Sequence, residues 1–305
     1  MGELSSLAES AVASYLDDPL AHPLVQRDRR LGRQSSVLAI VPHFQCEAWL
    51  GDCLDSLVRQ TRPLDAIVVV DDASGSPPVA IVRAFPQVTL LASTENVGPY
   101  RLSQEVIANT GYDAYLFQDA DDWSAPTRLA SLLAEAERSG AEMVGCQAYR
   151  LISAEGEVVP LTYPLDVNAT LETSASRHAL MHPSSIVSRD LVMRLGGYAT
   201  GLKFGADTEF ERRASYVARI VNIPDFAYVV RNRAGSLTSS AETGLWSDSR
   251  RAVRQIQLAR FRENADRVAA GAEPILTPIA VADPIPLTYV AGPRLASAAG
   301  GVWPA

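Results

Sequence analysis

A chain of 305 residues with 47% apolar and 20% charged residues has an ordinary globular composition and is long enough to bury a sizeable core in one large or two smaller domains. Its net charge of −8 argues against a nucleic-acid binder, which needs a basic stripe along its phosphate contacts. No apolar run approaches the ~18 residues of a membrane span, and no basic segment followed by an apolar stretch opens the chain, so a soluble cytoplasmic protein without a signal peptide is expected.

In chain order, residues 1–34 read as an N-terminal helical extension, with a helix from about Leu4 to Leu16 and then a polar, Arg-rich connector. Ser36–Val41 is a short apolar run ending at Pro42, the pattern of a buried strand. Leu50, Cys53, Leu54, Leu57 and Val58 have helical spacing, and Ala66–Val70 is a second strand, stopped by Asp71 and Asp72. The alternation continues with a short helix near Pro78–Ala84, a strand at Val88–Ala92, a helix near Tyr100–Asn109 and a strand at Ala114–Gln118. Strands separated by helices imply parallel pairing with right-handed crossovers, and ligands bind such sheets beyond the carboxyl ends of the strands. The residues there are Pro42-His43-Phe44, Asp71-Asp72, Asn96 to Arg101, and Asp119 to Asp122.

Downstream, a helix at Pro126–Ser139, a strand at Met143–Tyr149 and a hairpin through Glu155-Gly156 are expected. His178–Pro183 and Lys203–Asp207 read as loops, Arg189–Leu195 and Thr208–Val217 as helices, and Asp248–Arg267 as an amphipathic helix. The tail from Glu273, rich in Pro, Ala and Gly, either wraps the domain or stays loose. Cys46, Cys53 and Cys146 have no metal-ligand spacing and are expected as thiols rather than a disulfide. Basic character is almost wholly arginine, Lys203 being the only lysine, and guanidinium forks suit diphosphates and carboxylates.

The strongest chemical signal is Phe117-Gln118-Asp119-Ala120-Asp121-Asp122-Trp123 at the end of an apolar strand. Three carboxylates within four residues repel one another unless something positive sits between them, and oxygen ligands of this kind suit Mg²⁺ or Mn²⁺. The plainer alternative is an acidic turn in which Asp122 or Ser124 caps the helix before Pro126. Similarly, Asp71-Asp72 can accept from a base imide or a ribose hydroxyl, or can simply close an Asx-turn. An EF-hand is disfavoured, because no glycine stands sixth and Ala130 occupies the twelfth position.

Ile40-Val41-Pro42-His43-Phe44, Ser56 to Thr61, Val70-Asp71-Asp72-Ala73-Ser74, Asn96-Val97-Gly98 with Arg101, and Asp119-Ala120-Asp121-Asp122 occur in one order. That order and spacing, over roughly Ser36 to Thr238, resemble the family 2 glycosyltransferases of the GT-A fold. The resemblance implies an α/β fold, with a mostly parallel central sheet flanked by helices and with N- and C-terminal helical extensions. It would span residues 35–243, with a nucleotide-binding half to about 125 and an acceptor-binding half from 126. Residues 244–305 would form the C-terminal helix and tail.

By the same resemblance, Pro42, His43, Phe44, Asp72, Asn96 and Arg101 line the nucleotide pocket. Asp119 lies near the ribose and helps hold a metal on the diphosphate, Asp121 coordinates that metal, and Asp122 is auxiliary. Gly196-Gly197-Tyr198 and Lys203 to Phe210 look like the family's Gly-Gly segment and acidic catalytic motif, which makes Asp207 the expected base and Glu209 a distant second. The family's usual first carboxylate is here Ala206, and Asp207 alone could equally cap the following helix. Arg231 and Arg233 stand where similar enzymes close a segment over the diphosphate, often with a His at the position of Arg233. Arg there can grip phosphate oxygens or remain solvated. His182 lies where relatives bring acceptor or phosphate contacts. Trp123 and Trp246 can stack on sugars, with packing the plainer reading.

The expected activity is therefore metal-assisted transfer, with inversion, of a sugar from a nucleotide-diphosphate donor, UDP- or dTDP-linked, to an acceptor hydroxyl. A non-catalytic nucleotide-sugar-binding module remains an alternative because of Ala206 and Arg233. A sugar nucleotidyltransferase or dinucleotide oxidoreductase would need glycines after the first strand, where this chain has none before Gly51. A homodimer through the C-terminal helix is left open.

Overall fold

The computed structural model describes residues 30–152, 156–174, 178–232, 244 and 246–304. The expected N-terminal helix, the turn through Glu155, and Arg233 lie outside them. The first half runs β1 (Val37–His43), α1 (Glu47–Val58), β2 (Ala66–Asp71), α2 (Val79–Val82), β3 (Val88–Ala92), α3 (Pro99–Asn109) and β4 (Ala114–Phe117). β1 pairs in parallel with β2 and with β4, and β2 pairs in parallel with β3. Along β1, Val37, Ala39 and Val41 enter one core cluster, and Leu38 and Ile40 enter the other. A strand buried on both faces needs the continuous apolar run that the sequence carries. Leu50, Leu54 and Leu57 of α1 cover the first face, and Leu102, Val106 and Ile107 of α3 cover the second.

The second half adds β5 (Trp123–Ser124), α4 (Arg128–Ser139), β6 (Met143–Leu151), β7 (Val158–Leu161), α5 (Val167–Thr173), a 3₁₀ turn (His182–Ser184), β8 (Ile186–Ser188), α6 (Arg189–Arg194), α7 (Ala206–Ala214) and β9 (Ile220–Arg231). These strands extend the same sheet in the order β3-β2-β1-β4-β8-β6-β9-β5, with β7 forming a hairpin on β6. β6 and β9 are parallel, whereas β8 runs antiparallel to both β4 and β6. α4 stops at Gly140, which is left-handed at φ +71° and so ends the helix without a Cβ penalty. Two expected loops are partly helical. His182–Ser184 forms the 3₁₀ turn, and α7 begins at Ala206, so Asp207 sits inside its first turn.

α8 (Asp248–Ala269) departs from the expected amphipathic pattern. Its fully buried residues are Gln257 and Asn264, two turns apart, so amides rather than an apolar stripe dock it. Gln257 Nε2 donates to the Gly205 carbonyl at 2.6 Å, while Asn264 exchanges two hydrogen bonds with Ile275. The tail wraps the domain. β10 (Thr288–Ala291) adds an antiparallel strand to β3, and β11 (Leu295–Ala296) pairs with β12 (Val302–Trp303). No described helix is long and apolar enough to cross a membrane. All three cysteines are buried and unbridged.

Glu209 and Arg213 of α7 form a buried ion pair at 2.7 Å, and the remaining Arg213 donors reach the carbonyls of Leu195, Gly197 and Leu276. Glu209 also accepts from Ile279 N at 3.2 Å, so it fastens the tail and is not placed as a base. Glu209→Ala strands a buried guanidinium and should cost about 3–5 kcal/mol in urea denaturation. Asp207→Asn, two residues earlier and half-exposed, should change stability by less than about 1 kcal/mol in the same assay.

Candidate active site

The carboxyl ends of β1, β2 and β4, with the segment after β3, converge at one edge of the sheet. His43, the last residue of β1, is fully buried; its Nδ1 hydrogen-bonds Asp71 at 2.8 Å and its Nε2 accepts from Cys46 N at 3.4 Å. Phe44 is exposed beside it, and Pro42 pairs with Val70.

The two acids ending β2 divide the work. Asp71 takes the Ser74 amide and hydroxyl as well as His43, which makes it the Asx-turn acid. Burial is the largest influence and raises its pKa, but the bonds from His43 and Ser74 outweigh it and leave the carboxyl below the ordinary range. Asp72 instead reaches across to the next segment. It accepts from Val97 N at 2.8 Å, Gly98 N at 2.9 Å and Asn96 Nδ2 at 3.1 Å. Three donors on a group with about four acceptor sites leave room for one more. Burial holds this carboxyl above its usual value despite those amides. Gly98 must be glycine here, since its φ is +89° and a Cβ would stand 3.2 Å from the Lys203 carbonyl. Arg101, one turn into α3, donates Nε and Nη2 to the Asp283 carbonyl of the tail at 3.1 and 2.5 Å.

Beyond β4 lies the acidic loop. Asp119 is exposed, Asp121 half-buried and Asp122 buried. The helix-cap alternative fails, because α4 starts at Arg128 after Thr127 and no side chain caps it. Asp122 accepts from Arg231 N at 2.8 Å, and the Tyr228 hydroxyl accepts from Asp119 N at 3.1 Å. Burial, then the charges of Asp119 and Asp121, hold the Asp122 carboxyl well above the usual carboxylate range. Arg231 Nε also donates to the Asp121 carbonyl at 3.0 Å, so the end of β9 clasps the loop. Among the described residues no group of three or more His, Cys, Asp or Glu gathers in metal-holding geometry. Asp119 and Asp121 are two hard oxygen donors on the open side, the sparse protein set with which Mg²⁺ shares substrate phosphates.

Arg128 was not evident from sequence. Fully buried, it donates to Gln118 Oε1 (2.9 Å), Ser124 Oγ (2.8 Å), Phe117 O (2.9 Å) and Pro183 O (2.7 Å), and its guanidinium lies 4.7 Å from the Tyr228 ring centre. A cation at the first residue of a helix opposes the helix dipole, and that anomaly was the signal available.

The acceptor-side acid lies across the edge. Gly205, left-handed at φ +80° and held by Gln257, precedes α7, so Asp207 is not the helix cap. Its carboxyl lies near Tyr100 of α3. Burial raises the Tyr100 pKa well above 10, and the charges of Asp207 and Asp119 add to that, so this phenol lies between the two acidic elements. Ala206 is fully buried. His182 bonds the Tyr198 hydroxyl at 3.1 Å and lies 4.0 Å from the Phe117 ring centre and 5.6 Å from that of Tyr100. Tyr100 was likewise missed in the sequence, because an aromatic residue in the first turn of a helix carries no chemical spacing. Trp123 is 37% and Trp246 85% exposed, so neither packs in the core.

The molecule is thus an α/β protein of the GT-A class. Solved structures of S. aureus TarS residues 1–349 overlay it with TM-scores of 0.55 for the complex with UDP and 0.56 for the complex with UDP-GlcNAc. In both, identity is 21% and 74% of this chain is covered, with 70% and 71% of the TarS chain. The sequence model of Glycosyl transferase family 2 matches residues 38–195, just over half of the chain, and the protein belongs to that family. The glycosyltransferase EpsJ of Bacillus subtilis is 26% identical over 219 residues, 66% of this chain, which spans only 62% of that relative's length. Glycosyltransferase GlyA of Streptococcus pneumoniae is 28% identical over 123 residues, 39% of this chain and 18% of GlyA.

Burial pulls the His182 pKa down to about 4, against the Asp207 charge, so the ring is neutral near pH 7. A histidine that ionises near 6.5 unfolded and near 4 folded contributes stability above pH 6.5 that is lost as pH falls from 6.5 to 4, about 3 kcal/mol in all. Urea melts of His182→Gln across that interval should show a flatter stability curve than the parent. An unchanged slope would mean that the native ring carries a proton.

Proposed function

We propose that this protein transfers a sugar from a nucleotide-diphosphate donor to an acceptor hydroxyl with inversion, with Asp207 as the base and the Asp119–Asp122 loop at the diphosphate. The observation that carries this reading is the aromatic cluster of Phe117, His182, Tyr198 and Phe210, which ties the end of β4, where the acidic loop begins, to α7, whose first turn holds Asp207. A base and a leaving-group site on opposed sides of one cleft are what a single in-line displacement requires. A uridine donor is supported by the UDP and UDP-GlcNAc complexes of TarS, which has the same fold. The acceptor is any hydroxyl compound that reaches Asp207.

The acceptor hydroxyl gives its proton to the Asp207 carboxylate as its oxygen bonds to the anomeric carbon. The bond from that carbon to the donor phosphate oxygen breaks, and its electron pair leaves with the nucleoside diphosphate. Tyr100 lies near the Asp207 carboxyl, and neutral His182 packs behind it without competing for the proton. Asp119 and Asp121 would hold Mn²⁺ or Mg²⁺, which when bound stabilises negative charge on the departing diphosphate as a Lewis acid. Arg231 keeps the acidic loop in place, and Asp72 shapes the nucleoside end of the cleft. Ala206, fully buried, gives little reason to favour a non-catalytic module, because a carboxylate there would not face the cleft.

Calorimetric titration with UDP, dTDP and GDP, with Mn²⁺, with Mg²⁺ and with EDTA, tests the donor half of the proposal. One diphosphate should bind with metal, and Asp121→Ala should lower that affinity at least tenfold. Asp207→Asn should keep nucleotide affinity within about threefold while turnover falls by 10²–10⁴. If no nucleotide binds under any metal condition, the acidic loop has no donor role and the proposal is wrong.

A further inference from the structure

A second cation stands near the nucleoside end of the cleft besides Arg101. Arg101, at the start of α3, gives two of its five donors to the Asp283 carbonyl of the tail. Lys203, the only lysine of the chain, arrives from the segment leading into α7. Its Nζ lies 3.0 Å from Asn96 Oδ1, and its charge favours ionisation of Asp72. The backbone is seated as closely as the side chain, since the Lys203 carbonyl packs against Gly98. Asn96 is fixed in turn by two bonds from its Nδ2 to Asp72.

Resting on the nucleotide-sugar reading above, we propose that Lys203 is a donor-binding residue whose ammonium hydrogen-bonds the nucleoside end of the nucleotide-sugar beside Asn96 and Asp72. An ammonium has three donors, and Asn96 takes one. An exposed bond of this kind adds little to folding, so stability gives it no strong reason to be there. Its position selects the nucleoside rather than the diphosphate. β2 and β4 are separated by β1, which puts the Asp72 and Asp119 ends of the cleft roughly 10 Å apart. Lys203 sits at the β2 end. It also precedes Asp207 by four residues, so a nucleoside that engages Lys203 steadies the segment carrying the base.

The test is calorimetric titration of the full chain with UMP and with UDP, with Mn²⁺ and in EDTA, for the parent, Lys203→Met and Lys203→Arg. Lys203→Met should weaken both ligands by a similar factor, about tenfold, and Lys203→Arg by less than about threefold. Unchanged affinity for both ligands, or a loss confined to UDP, would overturn the assignment. A parent protein that binds neither ligand, with Mn²⁺ or in EDTA, would instead strike down the nucleotide-sugar reading on which it rests. Reductive methylation gives a readout that needs no variant. UDP should slow modification of the Lys203 peptide, measured by mass spectrometry, and equal rates with and without UDP would count against the proposal.

Discussion

The acidic loop exists in its observed form because of a buried guanidinium behind it. Arg128 binds the end of β4, the Ser124 side chain and the carbonyl of Pro183, tying three segments into one corner. Its charge also acts on Asp122 and so eases the repulsion among the carboxylates of the loop. Their field is felt nearby. Burial and then these three acids push the Cys53 thiol well above its ordinary pKa, and burial with Asp122 and Asp119 does the same to the Tyr228 phenol. The corner therefore tolerates negative charge in its wall while leaving the open side electronegative, a disposition that suits a hard cation.

From that corner the aromatic cluster carries order to the opposite acid. Phe117 ends β4 and packs on His182, which contacts Tyr198, and Tyr198 stacks on Phe210 of α7 with ring centres 4.5 Å apart. Asp207 thus belongs to a helix registered against β4 and, through Tyr100 stacked on Tyr198, against α3 by rings. Packing of this density leaves little freedom for the carboxyl, as a reaction that depends on approach geometry requires.

The second support comes from the far end of the chain. Ile279 binds Glu209, Ala282 binds Thr200 and Ile285 binds Glu105, so the tail crosses from α7 to α3 before adding β10 to the exposed edge of β3. Covering that edge removes a row of unpaired backbone groups, and the crossing braces the two flanks of the cleft against each other.

By itself, the sequence determined the alternating strands and helices of the first half, and it marked the strand ends where the acids lie. Those features are local. Apolar runs such as Val37–Val41 and the helical spacing of Leu50 to Leu57 depend on neighbours a few residues apart. The order of weak motifs was enough for the family, which Asp72, Asp119 and Asp121 could carry without knowledge of contacts. Only the tertiary structure decided the division of labour between Asp71 and Asp72, the bonds of Arg101 to the tail, and the positions of Lys203 beside Asn96 and of Arg128 behind the acidic loop. Each of these depends on a partner distant in the chain, 182 residues away for Arg101 and 107 for Lys203, and side-chain identity carries no record of such a partner. The docking of α8 shows the same limit, because Gln257 and Asn264 read as solvent-facing amides until Gly205 and Ile275 are brought against them.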